Sequence, residues 1–369
     1  MKLISEKNNF KFLIPLKIVL IVVLFNSSLL ADAKIERIGE TLVHPWGMSL
    51  LNETEILVTE RRGNLFKINL KSGKRLQINN LPKVLAESQG GLLDVLIRKE
   101  SNNLDEVFFC FSIPLDSGSS TAVNKAILEG DKLLNQKTIF VSNKISFNSF
   151  HYGCRLVISE NFLYISLGDR GQRNDSQNGK SHSGSVVRIG LDGSIPHNNN
   201  QNSSWLDDIL TKGHRNPQGI AINPRTLDVW INEHGPKGGD EINILKPGEN
   251  YGWPLVTFGD EYSGRPVGEG LTSAEGYKDP IWYWKPSIAP SGMAFYNSDM
   301  FPDLKGDLLV SSLKFQSIYH VKLQNELPIK ERVILSKIIG RVRDIEIAID
   351  GSILILTDEV KGGLYRLFK

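Results

Sequence analysis

Six times along the chain, a short β-rich apolar run is followed by a polar break and then a second alternating strand, often opened by glycine. The pairs are Ile56–Thr59 with Gly63–Ile68, Val107–Phe111 with Ala122–Ile127, and Leu163–Ser166 with Gly184–Ile189. They continue as Val229–Asn232 with Asp240–Ile244, Leu308–Ser311 with Ser317–Val321, and Ile353–Leu356 with Gly363–Leu367. Their starts at 56, 107, 163, 229, 308 and 353 leave intervals of 45 to 79 residues. A four-stranded propeller blade needs roughly 40–50 residues, so the longer intervals imply inserted loops. No segment sustains a 3.6-residue apolar period beyond a few turns, and 33 glycines and 16 prolines supply turns. The pattern predicts an all-β chain, a six-bladed β-propeller of four-stranded antiparallel blades. A sandwich or two all-β domains are the alternatives, although no Pro/Ser-rich linker divides the chain.

Residues 1–33 read as an address. Lys2, Lys7, Lys11 and Lys17 precede the apolar run Ile18–Phe25, and a small-residue ending follows at Ala31-Asp32-Ala33. That order describes a cleavable secretory signal, and eight strictly apolar residues fall short of the about 20 that span a bilayer. An uncleaved anchor over Phe12–Leu30 is the alternative. The expected organisation is therefore a signal at 1–33 and a catalytic propeller at 34–369, exported to the periplasm or beyond. The segment holds four lysines and two acids, which accounts for the whole formal charge of +2. The remainder balances, which argues against a nucleic-acid partner. Export would permit a disulfide between Cys110 and Cys154, but two separate buried thiols are the expected state.

The polar breaks inside the repeats read Glu60-Arg61, Gly168-Asp169-Arg170, Glu233-His234, Leu313-Lys314 and Asp358-Glu359. In a propeller such turns gather on one face around the central channel, where functional side chains belong. His151 stands before an apolar strand and is the natural candidate for a general base; no Ser-His-Asp order or nucleophile elbow accompanies it. Arg215 and Asn216 precede Pro217 in an extended segment, where an arginine can clamp a carboxylate or polarise a carbonyl. Asp240 and Glu241 follow Gly238-Gly239, and hard oxygens on Gly/Pro loops suit calcium. Strand alternation puts Arg341 and Arg343 on one side; with Lys314 they would suit a ligand bearing several carboxylates. Each residue alone has an ordinary structural reading, and their convergence is what points to a site.

Eight stretches in order resemble the soluble quinoprotein sugar dehydrogenases, and more closely their aldose sugar dehydrogenase branch. They are His151-x-Gly153-x-Arg155-Leu156, Gly213-x-Arg215-Asn216-Pro217-Gln218-Gly219, Asn232–Pro236, Gly239–Asn243, Asn250–Pro254, Ser291–Tyr296, Leu313-Lys314 and Arg341–Asp344. The resemblance implies pyrroloquinoline quinone (PQQ) held beside calcium, with aldose oxidation at C1 and electrons passed to an external acceptor. It implies His151 as base and Arg215 as the group polarising the quinone. Gln89, Asn216, Tyr262, Leu313, Lys314, Phe315, Arg341, Val342 and Arg343 would join Arg215 in binding the cofactor. Carbonyls of Gly235 and Pro236 would ligate one calcium, and Glu241 with Tyr251 a second, structural one. A homodimer is a further expectation.

Two departures bear on substrate. The glucose-specific branch carries an acid where this chain has Phe150, and glutamine where it has His234, the residue of the aldose branch. The resemblance therefore implies a broad aldose range. The rival readings are a metal-dependent propeller lactonase and a non-enzymatic propeller that binds a glycan or protein.

Overall fold

The computed structural model describes residues 20–21, 32–99 and 105–369. Apart from Leu20, Ile21, Asp32 and Ala33, the segment read as a signal lies outside the described residues. Within them, six antiparallel sheets are arranged as propeller blades. Blade 1 comprises Pro45–Leu50, Glu55–Glu60, Asn64–Asn69 and Arg75–Ile78. Blade 2 comprises Leu92–Lys99, Asp105–Leu115, Gly118–Glu129 and Lys132–Val141, and blade 3 Leu156–Ser159, Phe162–Ser166, Ser185–Gly190 and Ile209–Lys212. Blade 4 comprises Pro217–Ile222, Val229–Glu233, Asp240–Ile244 and Trp282–Trp284, and blade 5 Pro290–Phe295, Leu308–Ser312, Ser317–Gln324 and Leu327–Ser336. Blade 6 takes Val342–Ile347, Ile353–Thr357 and Gly362–Phe368 from the C-terminus and Lys34–Leu42 from the N-terminus.

The six sequence repeats are the second and third strands of the six blades. They are legible because their apolar residues face neighbouring blades on both sides, as with Leu354 and Ile355 in separate clusters. Ring closure is the pairing of Lys34 through Ile38 with Phe368 through Leu364. That contact joins the two ends of the described chain, and its cost in loop entropy is offset by burial of Ile35, Tyr365 and Leu367 in one cluster.

Arg155 ties the innermost strands together on the axis. Its Nη1 lies 3.1 Å from Asp94 and 3.0 Å from Asp344, its Nε donates to the Gln218 carbonyl at 2.7 Å, and its Nη2 donates to the Arg343 carbonyl at 3.2 Å. Its guanidinium also lies over the Trp46 ring at 4.2 Å. Five blades are thereby joined by one buried cation, with both carboxylates further satisfied by backbone N–H groups of Leu156 and Met48. This hub divides the channel into two cavities of about 290 and 270 Å3.

Cys110 and Cys154 are buried free thiols, and the Cys110 thiol points to the Cys154 carbonyl at 3.4 Å. No helix among the described residues is long and apolar enough to cross a membrane.

Candidate active site

All six innermost strands begin at one mouth, and the turns between second and third strands surround the same opening. The 290 Å3 cavity there takes residues from every blade: His44 and Arg61, Gln89, Gly153, Asn216 and Gln218, Leu313, and Arg341 and Arg343 among them. The polar breaks singled out in sequence are thus brought together by topology.

His151 stands at the start of blade 3 with φ of 54°. The left-handed conformation costs a non-glycine residue of order 1–3 kcal/mol unless its surroundings fix it. Here they do. The His151 N–H donates to Gln89 Oε1 at 2.8 Å, and its carbonyl accepts from the Arg170 N–H at 3.3 Å. Gly168 packs so closely that a Cβ there would lie 2.2 Å from the His151 carbonyl oxygen.

The ring is oriented by Asp169, whose Oδ1 lies 2.7 Å from His151 Nδ1. Asp169 also accepts from the Gly171 N–H at 2.7 Å and from Trp253 Nε1 at 2.9 Å. Burial pushes the Asp169 carboxyl up, but the His151 hydrogen bond and charge, the Gly171 N–H and Arg215 together hold it below the ordinary carboxylate range. An ionised Asp169 places the proton on Nδ1 and leaves the Nε2 lone pair available. Burial lowers the His151 pKa, the Asp169 bond opposes, Arg215 lowers it further, and the net is below the ordinary histidine value. This is a neutral, oriented base at neutral pH.

Arg215 is fixed by its own backbone N–H donating to Glu233 Oε2 at 2.6 Å, while its Nη1 donates to the carbonyls of Gly235 at 2.9 Å and His234 at 3.2 Å. Its guanidinium lies 5.4 Å over the Trp253 ring. His234 is half-buried and donates to the Pro290 carbonyl at 2.7 Å; desolvation of the ring, with nearby Arg215 and Arg343, pushes its pKa down to about 3. It is a neutral hydrogen-bonding wall.

Arg341 and Arg343 both line the cavity, as alternation requires, with Val342 between them packed in the core. Arg343 pairs with Asp358 at 2.7 Å and with Gln218 Oε1 at 3.0 Å. Asp358 in turn holds His44 Nδ1 at 2.8 Å. The Nε atoms of Arg343 and Arg61 are buried without a hydrogen-bond partner among the described residues. Two orphaned guanidinium donors at one cavity fit a polyanion, the donor pattern that a tricarboxylate cofactor requires.

Five expected cofactor contacts, Arg215, Tyr262, Lys314, Phe315 and Val342, do not line this cavity. Lys314 is exposed, with Nζ 5.3 Å over the Phe315 ring, and Phe315 packs partly against the core of blades 4 and 5. Tyr262 is 74% exposed, and none of these three lines the cavity.

The calcium candidates divide in two. Asp240 is consumed structurally, accepting from the N–H groups of Gly235, Ile288 and Ala289 and from the Ser287 hydroxyl. Gly235 and Pro236 lie in a crowd of carbonyls, where a Cβ on Gly235 would come within 2.2 Å of the Gly238 oxygen. Glu241 is buried, and burial with the adjacent Glu233 charge pushes it well above the ordinary range. Asn243 Nδ2 donates to Glu233 Oε1 at 3.4 Å and to Glu241 Oε2 at 3.3 Å, and its Oδ1 is buried without a partner among the described residues. Two neighbouring buried carboxylates are oxygen donors of the kind a hard cation takes. Among the described residues no three His, Cys, Asp or Glu side chains form a metal cluster, so backbone oxygens would have to complete either site. Tyr251 stacks on His214 at 4.7 Å and donates its hydroxyl to the Ile244 carbonyl at 2.5 Å.

Sequence reasoning gave no role to Asp169, Asp358, Arg61, His44 or Gln218. Asp169, Arg61 and Asp358 lay in the flagged polar breaks, which was the available signal.

A six-bladed propeller with a carboxylate-oriented base near a cationic cavity at the channel mouth is shared with a known family of enzymes. The glucose/sorbosone dehydrogenase family matches residues 42–366, and the chain belongs to that family and is an oxidoreductase. Aldose sugar dehydrogenase YliI of Escherichia coli K12 is 36% identical over 345 residues, covering 91% of this chain and 93% of that protein. The crystal structure of the soluble aldose sugar dehydrogenase from Escherichia coli in the apo-form superposes with a TM-score of 0.87 at 35% identity, over 91% and 99% of the two chains. The PQQ-bound aldose sugar dehydrogenase of Streptomyces coelicolor gives 0.75 at 23% identity, over 92% and 98%, a likeness of fold.

Proposed function

We propose that this chain is a PQQ- and calcium-dependent aldose dehydrogenase that oxidises the anomeric carbon to a lactone. The observation that carries the reading is the His151–Asp169 pair, tied by the Gln89 hydrogen bond to a cavity with unpartnered guanidinium donors. Similarity to aldose sugar dehydrogenases, one of them PQQ-bound, supports it.

When bound, PQQ supplies a two-electron hydride acceptor. Arg61, Arg341 and Arg343 would hold its carboxylates with Gln89 and Asn216, and Lys314 would reach in from the rim. His151 Nε2 removes the proton of the C1 hydroxyl as hydride leaves C1, and Asp169 stabilises the imidazolium that forms. Arg215 directs positive charge at the developing negative oxygen, the largest usual term in such catalysis. The carbonyls of Gly235 and Pro236 would hold calcium beside the cofactor, and Glu241, with Tyr251, a structural calcium. Phe150, 37% exposed and edge-on to His151 at 5.0 Å, offers sugars an apolar wall, consistent with a broad aldose range. Electrons leave to an external acceptor, and the reading of residues 1–33 as a signal places the enzyme outside the cytoplasm.

The test is reconstitution: purified protein with PQQ and calcium should reduce an artificial acceptor in the presence of aldoses. Sugar-independent behaviour, with no quinone absorbance retained after desalting, would sink the reading.

A further inference from the structure

The channel has a second end that the sugar chemistry does not use. Each innermost strand begins at the mouth and runs past the Arg155 hub, and beyond it residues later on all six strands enclose the 270 Å3 cavity. That volume is close to the lower end of small-molecule sites, about 300–1,000 Å3. Its walls are largely apolar, with Met48, Leu96, Val157, Ile220, Met293 and Phe295 among them. Leu96, Val157 and Phe295 are half-buried, so the cavity opens to solvent on the face opposite the mouth.

Its charges do not balance. Arg155 is the one cation lining it, against Asp94, Asp344 and Glu346. Two of these acids are engaged: Asp94 and Asp344 pair with Arg155 and accept from the N–H groups of Leu156 and Met48. Glu346 is different. It stands two residues beyond Asp344 on the strand Val342–Ile347, so alternation turns it towards the axis with Asp344. No side chain among the described residues donates to its carboxyl, and the Ile347 N–H is the backbone donor that acts on it. Blades 1, 4 and 5 bring no charged group to the cavity. Loss of water around the carboxyl, then the charges of Asp344 and Asp94, push the Glu346 pKa up to about 8. An acid kept neutral for want of a cation, in an apolar chamber open to solvent, is one half of an ion pair.

We propose that this cavity binds a small organic ammonium ion, its charged head on Glu346 and its hydrocarbon body along the apolar walls. A metal ion fits less well. Asp94 and Asp344 are turned to Arg155, and among the described residues no three acidic, histidine or cysteine side chains form a metal cluster. Met48, Val157, Ile220 and Phe295 offer CH2 groups a surface away from water. Glu346 releases its proton to solvent as the ammonium arrives, and no covalent bond to the ligand forms. The hub separates this cavity from the mouth, so the site stands apart from the dehydrogenase reading.

The experiment is calorimetric titration of the purified full chain, without PQQ or sugar, using hexylammonium chloride and 1-hexanol, an uncharged probe of similar shape. At neutral pH the ammonium should bind about 10-fold or more tightly than the alcohol, the scale of a hydrogen bond to a charged group. Heats in buffers of different ionisation enthalpy should show release of nearly one proton per ammonium. A carboxyl titrating near 8 is about nine-tenths protonated at pH 7, and pairing requires the carboxylate. Affinity should therefore rise about 10-fold or more between about pH 6.5 and 8.5. Glu346→Gln should weaken ammonium binding about 10-fold or more and abolish the proton release. Its binding of 1-hexanol should be unchanged, which shows that the cavity persists. Ammonium binding no tighter than that of 1-hexanol, or no proton release in the wild type, would overturn the site whatever the variant does. Equal ammonium affinities in wild type and Glu346→Gln would overturn it as well. With no cofactor or sugar present, these outcomes are independent of whether the mouth oxidises aldoses.

Discussion

His151 and Asp169 form a hydrogen-bonded pair, Nδ1 to Oδ1 at 2.7 Å, in which the carboxylate is locked on its other oxygen by Trp253 Nε1 at 2.9 Å. The indole comes from a residue 84 positions away, so the orientation of the base depends on blade 4 as much as on blade 3. Asp169→Asn should preserve the cavity but offer Nδ1 a different partner and weaken the imidazolium. Turnover should fall by about two orders of magnitude or more with PQQ retention intact, the scale of a lost general base. Parallel measurement of retained quinone absorbance and kcat separates these effects.

The pH profile carries the same geometry. His151 must be neutral to accept a proton, so kcat/KM should fall as pH drops through its pKa, and that acid limb should lie below the ordinary histidine value of about 6.5. The Asp169 bond raises this pKa and Arg215 lowers it. Asp169→Asn should therefore move the limb to lower pH, and Arg215→Gln to higher pH. Profiles of residual activity in the two variants check both signs; shifts in the same direction would contradict the arrangement.

The Arg155 hub is a buried charge network. Arg155→Leu would leave Asp94 and Asp344 facing each other without their cation. Loss of one partner from a buried pair costs about 3–5 kcal/mol. Urea unfolding of the apo-protein should show this as a lower midpoint. A midpoint unchanged within error would show that the hub contributes no net stability.

Calcium should stabilise the fold as well as serve the site. Binding at 100 times Kd adds about 2.7 kcal/mol to the folded state. Calcium should raise the Tm of wild-type protein, and Glu241→Gln should blunt the rise. An equal rise in both would remove Glu241 from the ligand set.

What the sequence revealed follows from what each strand faces. Second and third strands lie between neighbouring blades, so Ile353–Thr357 is apolar up to its last residue and reads as a strand. Innermost strands such as Pro290–Phe295 mix proline, serine and glycine, and five of the six carry register shifts where they pair with the second strand. Outermost strands such as Arg75–Ile78 are mostly exposed and polar. Neither kind shows a clean period. His151, Arg215, Arg341 and Arg343 were legible because chemistry and local spacing coincide. Asp169 and Asp358 were not, because their partners His151, Trp253, His44 and Arg343 reach them through topology. Lys314 is the reverse case, since its turn belongs to the mouth while its ammonium lies over Phe315 at the surface.

The most direct measurement is a reconstitution of wild-type and His151→Ala proteins with PQQ and calcium, followed by desalting and an aldose-dependent acceptor assay. Both proteins should retain quinone absorbance, the wild type should turn over, and the variant should lose about two to four orders of magnitude. Full activity in His151→Ala, or a wild type that neither retains PQQ nor responds to any aldose, would contradict the assignment of this mouth as a sugar-oxidising site.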